Sequence, residues 1–142
     1  MKVIILQGLP GSGKSSFADT QDALVCSADS YHMTDKGYEF RPENQTLAHK
    51  ECFKKFANAI YAKSPYIIVD NTNTTIYEVL PYIVLARAFD YDVTLRRFNC
   101  SKVTSHRRNI HDVPFDVITK MDINLCQFKL PPYLRVDIEN VP

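Results

Sequence analysis

Gly8-Leu9-Pro10-Gly11-Ser12-Gly13-Lys14-Ser15 follows the apolar run Val3-Ile4-Ile5-Leu6 and precedes the helix-compatible residues Ser16, Phe17 and Ala18. The spacing GxxxxGKS between a buried strand and a helix is that of a phosphate-binding P-loop. Glycines let backbone N–H groups turn inward around phosphate oxygens, and a helix N-terminus adds partial positive charge. Gly8, Pro10, Gly11, Ser12, Gly13, Lys14, Ser15 and Ser16 are therefore the expected nucleotide-binding set, with Lys14 on the β- and γ-phosphates and the Ser15 hydroxyl on Mg²⁺. Three of the chain's four glycines fall in this stretch, which sets it apart from an incidental glycine turn.

Outward from the loop, the chain alternates between two periodicities. Val3 to Leu6, Ala23 to Ala28 and Tyr66 to Val69 are short apolar runs of the kind buried on both faces of a parallel sheet, and Val93 to Phe98 gives a fourth, more amphipathic strand. His49, Phe53, Phe56 and Ile60 fall at helical spacing after Pro42, which suits a helix's first turn. A second helix is expected near Ile76 to Ala88, where Thr75 and Glu78 have capping-box spacing but Pro81 leaves the start open. Ile118, Met121, Leu125 and Phe128 line a last helix beginning around Pro114 and stopped by Leu130-Pro131-Pro132, and residues 131–142 read as an edge strand or an arm. The pattern predicts a three-layer α/β domain with a parallel sheet of four to five strands, its ligand at the carboxyl edge.

Two carboxylates end strands at that edge. Asp29, in Ser27-Ala28-Asp29-Ser30-Tyr31, is a candidate general base for an attacking hydroxyl, against the plainer reading of a loop cap. Asp70, in Ile67-Ile68-Val69-Asp70, is placed to hold Mg²⁺ through water. Asn71, Thr72 and Asn73 follow it, and ligand binding and turn chemistry are equally open to all three. Arg107 and Arg108 stand in a candidate lid over about 105–113, where an arginine would stabilise transition-state charge, against the plainer reading, which position alone favours, of a solvated basic pair.

With 142 residues, 45% hydrophobic and 23% charged, the chain has the size and balance of one folded domain. A net charge of +1 gives no global field for nucleic acid or membrane, so any polyanion site is local. No apolar run approaches the roughly 20 residues of a membrane span or a signal peptide's core, so a cytoplasmic protein is expected. The four cysteines and four histidines lack zinc-ligand spacing, and the cysteines are expected as free, mostly buried thiols.

Taken together, Gly8 to Ser15, Ser27 to Tyr31, Tyr38-Glu39-Phe40, Ile68 to Asn73 and Arg107 to Pro114 resemble the polynucleotide 5′-kinase family of P-loop phosphotransferases, and more closely the kinase-like module of NEDD4-binding proteins. The resemblance runs in family order from residue 4 to about 121. It implies a 2-3-1-4-type sheet, an ATP/Mg²⁺ donor site, Asp29 as general base and a lid arginine at 107 or 108. His32 stands where the phage member that typifies this family has an acceptor-gripping arginine. Arg41 is the other basic candidate for that contact, and both also read as ordinary loop residues. The segment between Asn109 and Val113 is shorter than the phage lid, and residues after 121 leave no room for a phosphatase domain. Three functions follow: phosphoryl transfer to the 5′-hydroxyl of DNA or RNA, with Arg41, Lys54, Lys55 and Arg108 as local basic groups; transfer to a nucleoside, small hydroxyl compound or hydroxymethylated base; or an ATP-dependent binding module.

Overall fold

The computed structural model describes residues 1–142. Its elements in chain order are β1 (Lys2–Gly8), α1 (Lys14–Asp19), β2 (Leu24–Cys26), β3 (Met33–Thr34), β4 (Gly37–Tyr38), α2 (Gln45–Tyr61), β5 (Tyr66–Asp70), α3 (Ile76–Ala88), β6 (Asp92–Phe98), α4 (Lys102–Arg108), α5 (Phe115–Gln127) and β7 (Asp137–Val141). Five strands form one parallel sheet in the order β2-β5-β1-β6-β7, and β3 and β4 make a separate hairpin. The undecided tail is thus a parallel edge strand, paired with β6 from Thr94↔Asp137 to Phe98↔Val141.

Alternate residues of the central strands feed two apolar layers. Val3, Ile5, Ile67, Val69, Val93 and Leu95 face the larger one, with Cys52, Phe56 and Ile60 of α2 and Val79, Ile83 and Ala86 of α3. Leu6, Ile68 and Phe98 face the other way, onto Ala18 and Phe17 of α1. Because β1 and β5 are covered on both faces, they read as unbroken apolar runs.

Four local expectations change. The buried face of α2 is Ala48, Cys52, Phe56, Ala59 and Ile60, while His49 is exposed and bonds Gln45 on the same helix. Thr75 stands at the N-cap of α3 but its side chain makes no capping bond, and Glu78 accepts the backbone N–H of Thr74 at 2.9 Å rather than that of Thr75. Pro81 lies inside α3, which begins at Ile76, and the carbonyl it leaves without a donor belongs to Tyr77, a residue 84% exposed to water. Only Cys26 and Cys52 of the free thiols are buried; Cys100 is half-buried and Cys126 exposed. No helix is long and apolar enough to cross a membrane.

Candidate active site

β1 leaves the sheet at Gly8, whose N–H donates to the Thr72 carbonyl at 3.0 Å, so the loop starts beside the end of β5. Gly11 has φ +72° and Gly13, the residue capping α1, has φ +106°, a region that side chains rarely tolerate. A Cβ on Gly11 would lie 2.9 Å from Arg108 Cβ. Ser105 Oγ donates to the Pro10 carbonyl, so α4 is fastened to the loop at two neighbouring points. α1 has only six residues, so its dipole contributes less than a full helix would, and anion affinity has to rest on the loop amides and Lys14. Gly11→Ala should therefore cost about 1–2 kcal/mol in denaturant unfolding and weaken nucleotide binding as well. An unchanged ATP affinity would show that the loop and α4 move apart freely.

Lys14 is 7% exposed, and its Nζ donates to the Leu9 carbonyl at 2.8 Å and lies 3.4 Å from Ser12 Oγ. Burial lowers its pKa to about 8, against the opposing pull of Asp70, Asp29 and Cys100. Ser15 Oγ donates to Asp70 Oδ2 at 2.9 Å. Burial pushes the Asp70 carboxyl up, partly offset by Ser15 and Lys14. A buried carboxylate against a hydroxyl is a donor set suited to a hard cation that keeps most of its ligands from phosphate and water. Ser15 and Asp70 are the side chains that would hold Mg²⁺, alongside the nucleotide.

Asp29 lies in a 3-10 turn, Ala28–His32, directly after β2. Ser27 Oγ accepts the Asp29 N–H at 3.2 Å, and Asn71 Oδ1 accepts the Ala28 N–H at 2.9 Å. The second bond ties the turn to the end of β5, fixing Asp29 relative to Asp70. The Asp29 side chain is 52% exposed, its Oδ1 lies 3.4 Å from Tyr38 Oη, and its Oδ2 lies 3.7 Å from His111 Nε2. Burial, and then the charge of Asp29, push the Tyr38 phenol up to about 12.

The other candidates separate into two groups. Asn71 and Asn73 are spent on the fold: the Asn71 amide reaches Ala28 N–H and Cys52 Sγ, and the Asn73 side chain, on a residue 1% exposed with φ +50°, donates to the Leu6 carbonyl at 2.7 Å. Thr72 contributes its carbonyl to Gly8. His32 is 3% exposed, bonds Gln45 Oε1 through Nε2 at 2.9 Å, and is ringed by Tyr31, Tyr38 and Phe40, so it supports the hairpin from inside. Arg41 is exposed, 4.0 Å from Glu39. Arg107 and Arg108 end α4, both exposed and without an ion pair, with only Arg108 against the loop. Lys55 Nζ donates to the Val25 carbonyl, and a groove of about 380 Å³ lined by Lys54, Lys55, Ala62 and Ser64 lies toward the amino edge of the sheet, away from the P-loop.

A family model described as an AAA domain matches residues 3–111. Human NEDD4-binding protein 2 is 33% identical over 130 residues, which is 84% of this chain and 7% of that protein. The bifunctional polynucleotide phosphatase/kinase of Schizosaccharomyces pombe is 25% identical over 109 residues, 77% of this chain and 24% of that protein. Among solved structures, one from the Pnkp1/Rnl/Hen1 RNA repair complex superimposes with a TM-score of 0.70 at 18% identity, over 89% of this chain and 44% of its own. That last likeness concerns the fold.

Proposed function

The chain belongs to the AAA-domain family, with a P-loop kinase-like fold, and from that premise we propose that it transfers the γ-phosphoryl group of ATP to a hydroxyl acceptor, the 5′-hydroxyl of a polynucleotide. The observation that carries the reading is that two carboxylates stand at the P-loop edge of the sheet, Asp70 at the end of β5 and Asp29 in a turn tied to that end through the Ala28–Asn71 bond. Asp70 is bonded to the P-loop serine, whereas half of Asp29 remains open to solvent. One carboxylate is thus committed to the donor side and the other is free to meet an acceptor.

In the proposed reaction the loop amides and Lys14 hold the β- and γ-phosphates. Bound Mg²⁺ would supply charge neutralisation at those oxygens. Asp29 accepts the acceptor hydroxyl's proton as its oxygen bonds to Pγ, while the bond from Pγ to the bridging β,γ-oxygen breaks and ADP leaves. The polynucleotide acceptor rests on the similarity to the fission-yeast phosphatase/kinase, together with basic groups Arg41, Arg107 and Arg108 open at the surface.

Incubating the protein with labelled ATP, Mg²⁺ and a panel of 5′-hydroxyl DNA, 5′-hydroxyl RNA, nucleosides and sugars tests this directly. Label at an oligonucleotide's 5′ end is the expected result. Label on small molecules alone would move the acceptor to another class, and no transfer would leave a nucleotide-binding module. Asp29→Asn should lower the transfer rate by about 10²-fold or more with ATP affinity nearly intact, because the amide keeps the shape and takes no proton. Equal losses in affinity and rate would assign Asp29 to the metal or the fold.

A further inference from the structure

Three separate elements converge on the Asp29 carboxylate. Tyr38 comes from the β3–β4 hairpin, His111 from the connection between α4 and α5, and Asp29 from the turn after β2. The rings of Tyr38 and His111 lie 3.9 Å apart at 40°, one reaching Oδ1 and the other Oδ2. His111 is itself held: Asn109 Oδ1 accepts its backbone N–H at 3.1 Å, and Asn109 Nδ2 donates to the Val113 carbonyl at 2.7 Å, closing a tight turn. Asp112, the next residue, has φ +53°, so the turn is bent back on itself to deliver the imidazole.

From this geometry we infer that His111 and Tyr38 are positioning residues that present Asp29 to the acceptor hydroxyl. The inference rests on the reading of Asp29 as the base. A carboxylate left half in water samples several rotamers, and a general base must lie within about 3 Å of the proton it takes. The Tyr38 hydroxyl donates to Oδ1 and the His111 imidazole stands 3.7 Å from Oδ2, so the carboxylate is flanked on both oxygens and its rotation is restricted, while each oxygen retains a lone pair for the acceptor. The raised Tyr38 phenol stays protonated and so remains a donor at neutral pH. His111 belongs to the same connection as Arg108, three residues back, whose Cβ stands against Gly11. Seating that segment on the donor loop therefore brings the imidazole to the base at the same time, so donor closure and assembly of the acceptor side are one event.

The test uses His111→Phe, which keeps a ring for Tyr38 to pack on and removes the nitrogens, His111→Gln, which supplies a polar amide N–H without the ring, and Tyr38→Phe. Each is measured for kcat and for KM of ATP with a 5′-hydroxyl oligonucleotide at saturation. His111→Phe should lose roughly 10-fold in kcat with KM for ATP within about twofold, and His111→Gln should recover part of that loss. Tyr38→Phe should lose roughly 3-fold, since it removes one neutral hydrogen bond of 3.4 Å and leaves the ring packing in place. In an Asp29→Asn background neither change should lower the residual rate further, because a positioning residue has nothing left to position. Losses that add in that background, or a His111→Phe defect confined to KM, would overturn the inference while leaving Asp29's role intact. An Asp29→Asn variant with normal turnover would instead remove the reading beneath it.

Discussion

Replacing Lys14 with methionine should abolish phosphoryl transfer and, in the same molecule, make the ligand-free protein harder to unfold. The first effect follows from removing the cation that the proposed reaction sets against the β- and γ-phosphates, a loss of at least about 10³-fold. The second follows from burial. Lys14 is 7% exposed and its pKa falls from 10.5 to about 8, so folding at neutral pH confines an ammonium that the unfolded chain would keep in water. At roughly 1.4 kcal/mol per unit this is an upper bound of ~3 kcal/mol, from which the lost bond to the Leu9 carbonyl takes ~1 kcal/mol. Between pH 8 and 10.5 the unfolded chain binds more protons at this site than the folded one, so wild-type stability rises with pH across that window. The advantage of Lys14→Met is accordingly full below pH 8 and fades toward 10.5. Urea unfolding of both proteins at pH 7 and pH 10 measures it. A variant less stable than wild type at pH 7 would contradict the burial account, and one that still transfers phosphate would contradict the P-loop reading. ATP reverses the preference, because phosphate charge supports the ammonium, so nucleotide should raise the unfolding temperature of wild type far more than that of the variant.

The same lysine shows why part of this molecule is legible from sequence. Gly11 and Gly13 stand at positive φ next to a buried strand, and only a few residue types meet those demands, so the demand is written in the chain. The unbroken runs Val3 to Leu6 and Tyr66 to Val69 mark β1 and β5 for a similar reason: both faces are covered, and polar residues are excluded. β7 carries no such mark. Asp137, Glu139 and Asn140 lie in an edge strand that is exposed along most of its length, and nothing in its composition separates a strand from an arm.

At the site the limit is different. Asp29 and Asp70 are visible because each terminates an apolar run, which places them at the carboxyl edge before any geometry is known. Asn71 and Asn73 share that position, yet their amides serve Ala28 and the Leu6 carbonyl. An asparagine that closes a turn and one that holds a ligand use the same two atoms, and spacing does not say which way they point. Buried Gln7, which joins the Asn73 carbonyl to Arg97 Nε, gives no periodic signal at all. Tyr38 and His111 lie inside stretches that carry the family resemblance, yet nothing in their spacing assigns either one a place beside Asp29. They meet only because the lid connection folds across the sheet edge, a contact between segments that share no local pattern.

Arg108→Ala should reduce transfer by about 10³-fold with modest change in ATP affinity, whereas Arg107→Ala should cost only a few-fold. Consecutive helical residues project about 100° apart, so one of the pair can enter a given site and the other is directed elsewhere. The backbone decides between them: a Cβ on Gly11 would meet Arg108 Cβ at 2.9 Å and its carbonyl oxygen at 3.2 Å, so Arg108 grows out from the wall of the phosphate loop. Both arginines lack a carboxylate partner, and both lie at the carboxyl end of α4, a helix of only seven residues whose dipole is worth at most about 0.3–1 kcal/mol to a cation. That term is common to the two and too small for a 10³-fold effect, so a large difference between the variants has to come from the reaction. Arg108→Lys sharpens the test, since it keeps the charge and loses the planar fork; recovery should be partial. Rates at saturating ATP and acceptor, set beside ATP affinities, separate the outcomes. Near-wild-type turnover in both alanine variants would eliminate the lid, and a larger loss at Arg107 would keep the lid while showing that α4 rotates on closing, because the resting backbone turns the other residue toward Gly11.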